Sequence, residues 1–278
     1  MARIKKELQE CYGCGKRFPE SKAQCPSCRS WNFAPSYNAK TDGTILLSDV
    51  NQQSVTRIST GPWDPCWGES PNKDGDIISG VVSNSVSLIG GKPGAGKSTL
   101  ALQMGNNILT NIPDREVLYM AHEEAVETVR SRAIRLGLKN QSRIRVIPMG
   151  VKVDLGAVIL ARNPVAMIYD SLVKICPDPA AAVDFLARLK EYSMLINSPA
   201  LVIDHVTKSD DMAGLMAAQH EVDMMCMFSV DEDDKVREIE TLKNRHGADG
   251  IRVLLNMTEN GLVYRNPEED EDDEDDDD

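Results

Sequence analysis

The feature that most constrains the fold is the segment SVSLIGGKPGAGKSTL, which spans residues 85–100. Its Gly91, Gly96, Lys97 and Ser98 fill the pattern G-x-x-x-x-G-K-[ST] of a phosphate-binding loop. An alternating apolar run precedes the loop and a helix-like run follows it, which is the context that the motif requires. The glycines let backbone N–H groups turn toward phosphate oxygens. The segment therefore predicts a nucleotide site in which Lys97 reaches the β- and γ-phosphates and Ser98 holds Mg²⁺.

Short apolar runs alternate with helix-like segments downstream of this loop. Strands are predicted at residues 85–89, 117–120, 143–147, 165–169 and 201–204, and helices at 98–110, 125–136 and 180–196. This order predicts an α/β fold with a parallel sheet and crossover helices. Four consecutive antiparallel strands are predicted after residue 223, at 224–230, 236–242, 251–257 and 262–265. Glu259-Asn260-Gly261 indicates a hairpin between the last two.

Composition divides the chain into four parts: a Cys-rich module at 1–34, a polar linker at 35–57, the α/β domain at 58–267 and an acidic tail at 268–278. The tail has no apolar residue to bury, so disorder is predicted there. Removing its 11 acids from the total of 43 leaves 32 against 31 Lys and Arg, a nearly neutral body. No apolar run approaches the roughly 20 residues of a membrane span, and no secretory signal is visible. We therefore expect a cytoplasmic protein without membrane contact.

The N-terminal module carries two C-x-x-C pairs separated by ten residues, Cys11/Cys14 and Cys25/Cys28. Such pairs bring four thiolates to a tetrahedral Zn²⁺, and a module of this size depends on the metal to fold. A zinc ribbon is therefore predicted, with a chance quartet or an iron–sulfur cluster as the alternatives. The other three cysteines are interpreted as small core residues, namely Cys66, Cys176 and Cys226.

Two strand ends downstream of the loop carry carboxylates. The run VAMIYDS ends in Asp170, which predicts an acid that binds Mg²⁺ through water, although such an Asp can also cap a helix. The run LYMAHEE places Glu123 and Glu124 at the end of another strand. A glutamate there could activate the water that attacks a nucleotide, and two solvated acids at a helix start are the alternative.

Polar residues at two further positions have two interpretations each. His205 follows a predicted strand, where it could sense a γ-phosphate or be a hydrogen-bonded core histidine. Lys243 and Arg245 follow a later strand in the run KNRHG. They could be solvated surface cations, or cations that reach the γ-phosphate of a neighbouring subunit.

Taken together, these motifs resemble the RadA/Sms family of bacterial RecA-like DNA-repair ATPases. The resemblance rests on CxxCG, FPE and CPxCxxWN near the start, and on GxPGxGKSTLxLQ, LYxxxEE, xxxDS, xxxHVTK and KNRxG further along. It covers about residues 8–267. It implies a RecA-like core that assembles as a homohexameric ring and moves on single-stranded DNA, driving branch migration.

Carried over to this chain, the resemblance implies roles for individual residues. Glu123 would be the catalytic glutamate, His205 the sensor, and Lys243 and Arg245 the cations acting in trans. Residues 171–180 and 207–218 would be the DNA-facing loops. ATP and Mg²⁺ would be held by Gly91, Gly94, Ala95, Gly96, Lys97, Ser98, Thr99 and Asp170.

The chain also departs from the family pattern. It carries an acidic tail where the family continues into a Lon-protease-like domain, so a short form is predicted. His246 stands in place of the usual Phe, and Leu215 and Met216 replace Pro-Lys in the second DNA loop, which predicts weaker DNA binding. The alternatives to a RadA-type translocase are a DnaB-type replicative helicase and an ATP-gated DNA-binding or recombinase-loading module. The tail could aid solubility, compete with DNA, or recruit a basic replication or recombination protein.

Overall fold

A computed structural model of the chain describes residues 9–10, 16–18, 56–71, 75–205, 218–231 and 236–265. The helices in these ranges are α1 (Lys97–Asn111), α2 (Val126–Arg135), α3 (Leu155–Arg162), α4 (Leu172–Ile175) and α5 (Pro179–Ile196). The short N-terminal strands are β1 (Gln9–Glu10), β2 (Arg17–Phe18), β3 (Arg57–Ile58), β4 (Glu69–Pro71), β5 (Ile77–Ser79) and β6 (Val81–Val82). The strands of the main sheet are β7 (Val86–Gly91), β8 (Val117–Ala121), β9 (Ile144–Pro148), β10 (Ala166–Asp170), β11 (Ala200–Ile203), β12 (Met224–Val230), β13 (Val236–Asn244), β14 (Arg252–Thr258) and β15 (Gly261–Tyr264).

The main sheet has nine strands in the order β15-β14-β13-β12-β7-β11-β10-β8-β9. Strands β12, β7, β11, β10, β8 and β9 are parallel to one another, and β13, β14 and β15 extend the sheet with antiparallel pairing. Every residue of β7, β8, β10 and β11 is buried. Their continuous apolar runs reflect this, because helices cover both faces of a parallel sheet. The predicted α/β class is confirmed.

Hydrophobic clusters fill both faces of this sheet. On one face α1 packs Leu100 and Met104 against Tyr119 and Ile168, which come from neighbouring strands. The other face packs Leu186 and Leu189 of α5 against Leu88, Met167 and Tyr169. The alternation of side chains along each strand produces this division, because successive residues point to opposite faces. The two layers hold the carboxyl ends of the parallel strands in fixed positions.

Residues 57–82 form a small structure that the sequence patterns did not predict. Strands β3 and β6 pair with each other, as do β4 and β5, and a 3-10 turn at Asp64–Trp67 lies between them. Trp67 is buried, and its indole N–H donates a hydrogen bond of 2.9 Å to the Thr60 hydroxyl. The turn packs against β13, and Arg57, placed in the predicted linker, belongs to β3. The weak pattern here reflects strands of two or three residues, which are too short for a period to show.

The remaining elements agree with their predicted positions to within two residues, except that β1, β2, α3, α4 and a 3-10 turn at Gln141–Arg143 were not predicted. The hairpin expected at residues 259–261 lies between β14 and β15. The four predicted zinc ligands, the acidic tail and most of the predicted second DNA loop lie outside the described residues. Within the described ranges, no helix is long and apolar enough to cross a membrane.

Candidate nucleotide-binding site

The phosphate-binding loop connects β7 to α1 at the carboxyl edge of the sheet. Gly94 and Gly96 have positive φ angles of 81° and 108°, a region that favours glycine. At Gly96 a Cβ would also lie 2.6 Å from Cε of Met257, so the end of this flexible side chain would have to move aside. The helix begins directly at Lys97. The free N–H groups of its first turn make this end a site for a phosphate anion.

Lys97 lies inside this loop and is only 4% exposed. Its Nζ donates to the carbonyl oxygens of Gly91 and Lys92 at 2.7 and 2.8 Å, and lies 3.4 Å from Nδ1 of His205. Burial lowers the pKa of Lys97, and the carboxylates of Glu123, Asp170 and Asp204 act in the opposite direction. The ammonium group is therefore held at the loop by acceptors on several sides.

Asp170 ends β10 and is 1% exposed. Its Oδ2 accepts a hydrogen bond of 2.6 Å from the Tyr119 hydroxyl, whereas Oδ1 has no hydrogen-bond partner within the described part of the chain. Burial raises the pKa of Asp170, and the nearby hydroxyls of Tyr119 and Ser98 act against this rise. A buried carboxylate oxygen without a partner, close to a serine hydroxyl, fits a hard cation such as Mg²⁺.

The two adjacent glutamates, Glu123 and Glu124, have different hydrogen-bond partners. Oε2 of Glu123 lies 2.7 Å from Nε2 of His205, whereas Glu124 accepts two hydrogen bonds from the guanidinium of Arg132. Burial would raise the pKa of Glu123, but the contact with His205 outweighs it and the pKa is lowered. The backbone N–H of Glu123 donates to the carbonyl of Asp170, which ties the two strand ends together. Glu123 thus faces the lysine of the loop, and Glu124 is occupied by an arginine.

The contacts of His205 also select one tautomer. The ammonium of Lys97 can only donate and the carboxylate of Glu123 can only accept. These two partners therefore fit an imidazole with its proton on Nε2, which leaves Nδ1 free to accept from Lys97.

Lys97, Glu123 and His205 line a cavity of about 430 Å³, whereas Asp170 is not part of its lining. The loop forms one wall, and Glu123 and His205 lie on its walls as well. Arg132, Arg135 and Met257 also line it and were missed by sequence reasoning. Arg132 and Arg135 lie one helical turn apart on α2, which is the one local signal that could have indicated them.

Lys243 and Arg245 are not part of this cluster. The ammonium of Lys243 donates to the carbonyls of Gln219 and Val222, and Arg245 pairs with Asp223 at 3.3 Å. In the strand register, Asn244 of β13 lies opposite Met224 of β12, and Met224 lies opposite Ser87 near the start of β7. The phosphate-binding loop follows the other end of β7. Within one chain, the two cations therefore lie at the amino-terminal ends of the parallel strands. The loop lies at the carboxyl ends, roughly 15–20 Å away by strand rise.

The three isolated cysteines are free thiols, with Cys66 and Cys226 buried and Cys176 half-buried. Burial raises the pKa of Cys66 to about 12, so this thiol is protonated at neutral pH. Among the described residues, no group of three or more His, Cys, Asp or Glu side chains is arranged to hold a metal ion. The predicted zinc ligands Cys11, Cys14, Cys25 and Cys28 lie outside those residues.

Comparison with known proteins identifies similar sequences, although no family model matches. The DNA repair protein RadA of Pseudomonas aeruginosa is 30% identical over 92% of this chain and 59% of its own length. RadA of Bacillus subtilis is 29% identical over 93% of this chain and 60% of its own. The chain thus spans about three fifths of the length of the curated relatives it matches.

A solved structure supports the fold independently. The KaiC-like protein of Pyrococcus horikoshii superposes with a TM-score of 0.60 at 17% identity, covering 76% of this chain and all of the other. The chain therefore has the RecA-like fold predicted for it, and over nearly all of its length its sequence is similar to RadA proteins.

Proposed function

We propose that this protein is a DNA-repair ATPase that uses ATP hydrolysis to move along single-stranded DNA. The observation that carries the proposal is the meeting of Lys97, Glu123 and His205 on one cavity, with Asp170 joined to Glu123 by a backbone hydrogen bond. These residues come from different strands and loops, and together they match the requirements of phosphoryl transfer to water. The similarity to RadA proteins supports DNA repair as the process.

Each side chain would have a role in hydrolysis that follows from its chemistry. Lys97 and the N–H groups of the loop would bind the phosphates, while Ser98 and Asp170 would hold Mg²⁺. When bound, Mg²⁺ neutralises charge on the β- and γ-phosphates. Glu123 orients the attacking water and takes its proton, since its lowered pKa keeps the carboxylate ionised at neutral pH. His205 donates to Glu123 and so fixes the direction of that carboxylate.

The position of Lys243 and Arg245 supports assembly into a ring. A cation at the amino-terminal ends of the parallel strands cannot reach the loop of its own chain. It could reach the loop of a neighbouring subunit whose carboxyl strand ends face it. We therefore propose that both residues act in trans in a homohexamer, where an added positive charge stabilises the transferring phosphate. Residues 171–180 and 207–218 would contact the DNA.

The N-terminal module would bind Zn²⁺ through its four cysteines, in keeping with their spacing. We further propose a cytoplasmic location and, for the acidic tail, a basic replication or recombination partner.

The test is a paired measurement of ATP hydrolysis and of strand displacement on forked DNA. Lys97→Ala should abolish both activities, while Lys139→Ala, at an exposed lysine of the same chain, should leave both unchanged. Absence of DNA-stimulated hydrolysis in the unmodified protein would refute the proposal. Hydrolysis stimulated by DNA without displacement would instead favour an ATP-gated DNA-binding or recombinase-loading module.

A further inference from the structure

We propose that Tyr119 is a positioning residue for the metal-binding acid: its hydroxyl fixes one oxygen of Asp170 and so directs the other oxygen to the cation. This inference rests on the proposed function, because it assigns Asp170 to Mg²⁺. Nothing in the motif pattern indicated this role, since an aromatic residue inside an apolar strand is normally part of the core.

The register of the sheet places the two residues for this contact. Strands β8 and β10 are adjacent and parallel, and Asp170 pairs with Ala121, two residues beyond Tyr119. Side chains two residues apart share a face of the sheet, so Tyr119 lies on the same face as Ala121. Its ring packs in the core under α1, and its hydroxyl reaches Oδ2 of Asp170 at 2.6 Å. That length is typical of a charge-assisted O–H···O⁻ bond.

The two oxygens of Asp170 therefore differ. The hydroxyl of Tyr119 occupies Oδ2 as a donor, because a carboxylate oxygen can only accept. Oδ1 is buried and has no partner within the described residues. A buried carboxylate oxygen without a partner costs free energy unless something binds it. The contact thus fixes which oxygen remains available for the cation.

The proposed role requires the hydroxyl donor of tyrosine, which phenylalanine lacks. Phenylalanine would fill the same space between the sheet and α1, but without the donor the carboxylate of Asp170 could rotate about its terminal torsion. Removing a hydrogen-bond partner of a metal ligand typically costs about 10–100-fold in metal affinity or activity. A change of that size should appear in metal binding while the fold is retained.

The neighbouring strand offers a matched control. Tyr169 lies on β10, one residue before Asp170, and is 1% exposed. It packs on the opposite face of the sheet against Phe185, and its hydroxyl contacts the sulfur of Met167 at 3.6 Å. Tyr169→Phe removes a buried hydroxyl of the same kind without touching the carboxylate.

The experiment compares Tyr119→Phe, Tyr169→Phe and Asp170→Asn in the full chain. Binding of Mn²⁺ is followed by electron paramagnetic resonance with a non-hydrolysable ATP analogue, and binding of a fluorescent ADP is measured in EDTA. Tyr119→Phe should weaken Mn²⁺ binding about 10-fold or more while leaving metal-free nucleotide binding unchanged. The Mg²⁺ concentration for half-maximal hydrolysis should rise by the same factor, with kcat recovering at saturating Mg²⁺. Tyr169→Phe should change neither quantity.

The outcomes separate this inference from the proposed function. If Asp170→Asn weakens Mn²⁺ binding and Tyr119→Phe does not, the role of Tyr119 is refuted and the proposed site stands. If the unmodified protein binds no Mn²⁺ with the nucleotide, both are refuted. Equal losses in the two tyrosine variants would also refute the inference, because they would indicate a general loss of packing.

Discussion

Replacing Arg57 with methionine should strongly destabilise the protein, although this arginine lies far from the cavity. Arg57 is 7% exposed, and its guanidinium donates to the carbonyls of Trp67 and Gly80 at 2.8 and 2.9 Å. It also donates to the carbonyl of His246 at 2.5 Å and to the hydroxyl of Ser70 at 3.0 Å. One side chain thus connects the small structure at residues 57–82 to the turn that follows β13.

The two fully buried contacts set the magnitude. A hydrogen bond from a charged donor contributes about 1.5–3 kcal/mol. The carbonyl of Gly80 would lose its side-chain donor, whereas that of Trp67 would keep the hydrogen bond from Asn244 at 3.2 Å. Arg57→Met should therefore lower the free energy of unfolding by about 3–6 kcal/mol. Methionine fills much of the same volume, so little of this loss would come from a cavity. The loss is a large part of the roughly 5–15 kcal/mol that stabilises a typical domain.

Urea denaturation followed by circular dichroism measures this quantity, with Arg145→Met as the matched control. Arg145 makes two hydrogen bonds to Glu116 at 2.8 and 2.6 Å on an exposed surface. Exposed ion pairs contribute about 0–1 kcal/mol, so the control should be nearly neutral. If Arg57→Met came within about 1 kcal/mol of the control, burial of the guanidinium would not be the source of stability that we infer.

Four further predictions concern the site and the zinc module. Glu123→Gln should slow ATP hydrolysis by about 10²–10⁴-fold, and Glu124→Gln far less, because Arg132 already occupies Glu124; equal losses would contradict the assignment. The variant His205→Asn should move the acid limb of the pH–rate profile to higher pH, since His205 holds the pKa of Glu123 down; an unmoved limb would count against this contact. Mixing Arg245→Ala chains with Lys97→Ala chains should restore part of the ATPase activity, and no recovery in co-assembled mixtures would argue against action in trans. Elemental analysis should find one zinc per chain, and iron or no metal would rule out the zinc ribbon.

Local patterns were sufficient for much of the fold because they encode backbone conformation directly. The glycines at 94 and 96 specify the loop, and the apolar runs specify buried strands, so β7, β8, β10 and β11 were predicted to within two residues. The same patterns indicated Asp170 and Glu123, because polar residues at the carboxyl ends of parallel strands meet at one edge. Short elements escaped prediction, since strands of two or three residues do not establish a period.

Side-chain partners were decided by tertiary structure alone. The local pattern did not distinguish Glu123 from Glu124, although the family resemblance singled out Glu123. The packing of α2 then gave Glu124 to Arg132 and left Glu123 for His205. Tyr119 and Asp170 are 51 residues apart, and Arg57 and the carbonyl of His246 are 189 apart. A motif records which conformation a segment adopts. Contacts between distant segments depend on strand order and register, which bring their side chains within hydrogen-bonding distance.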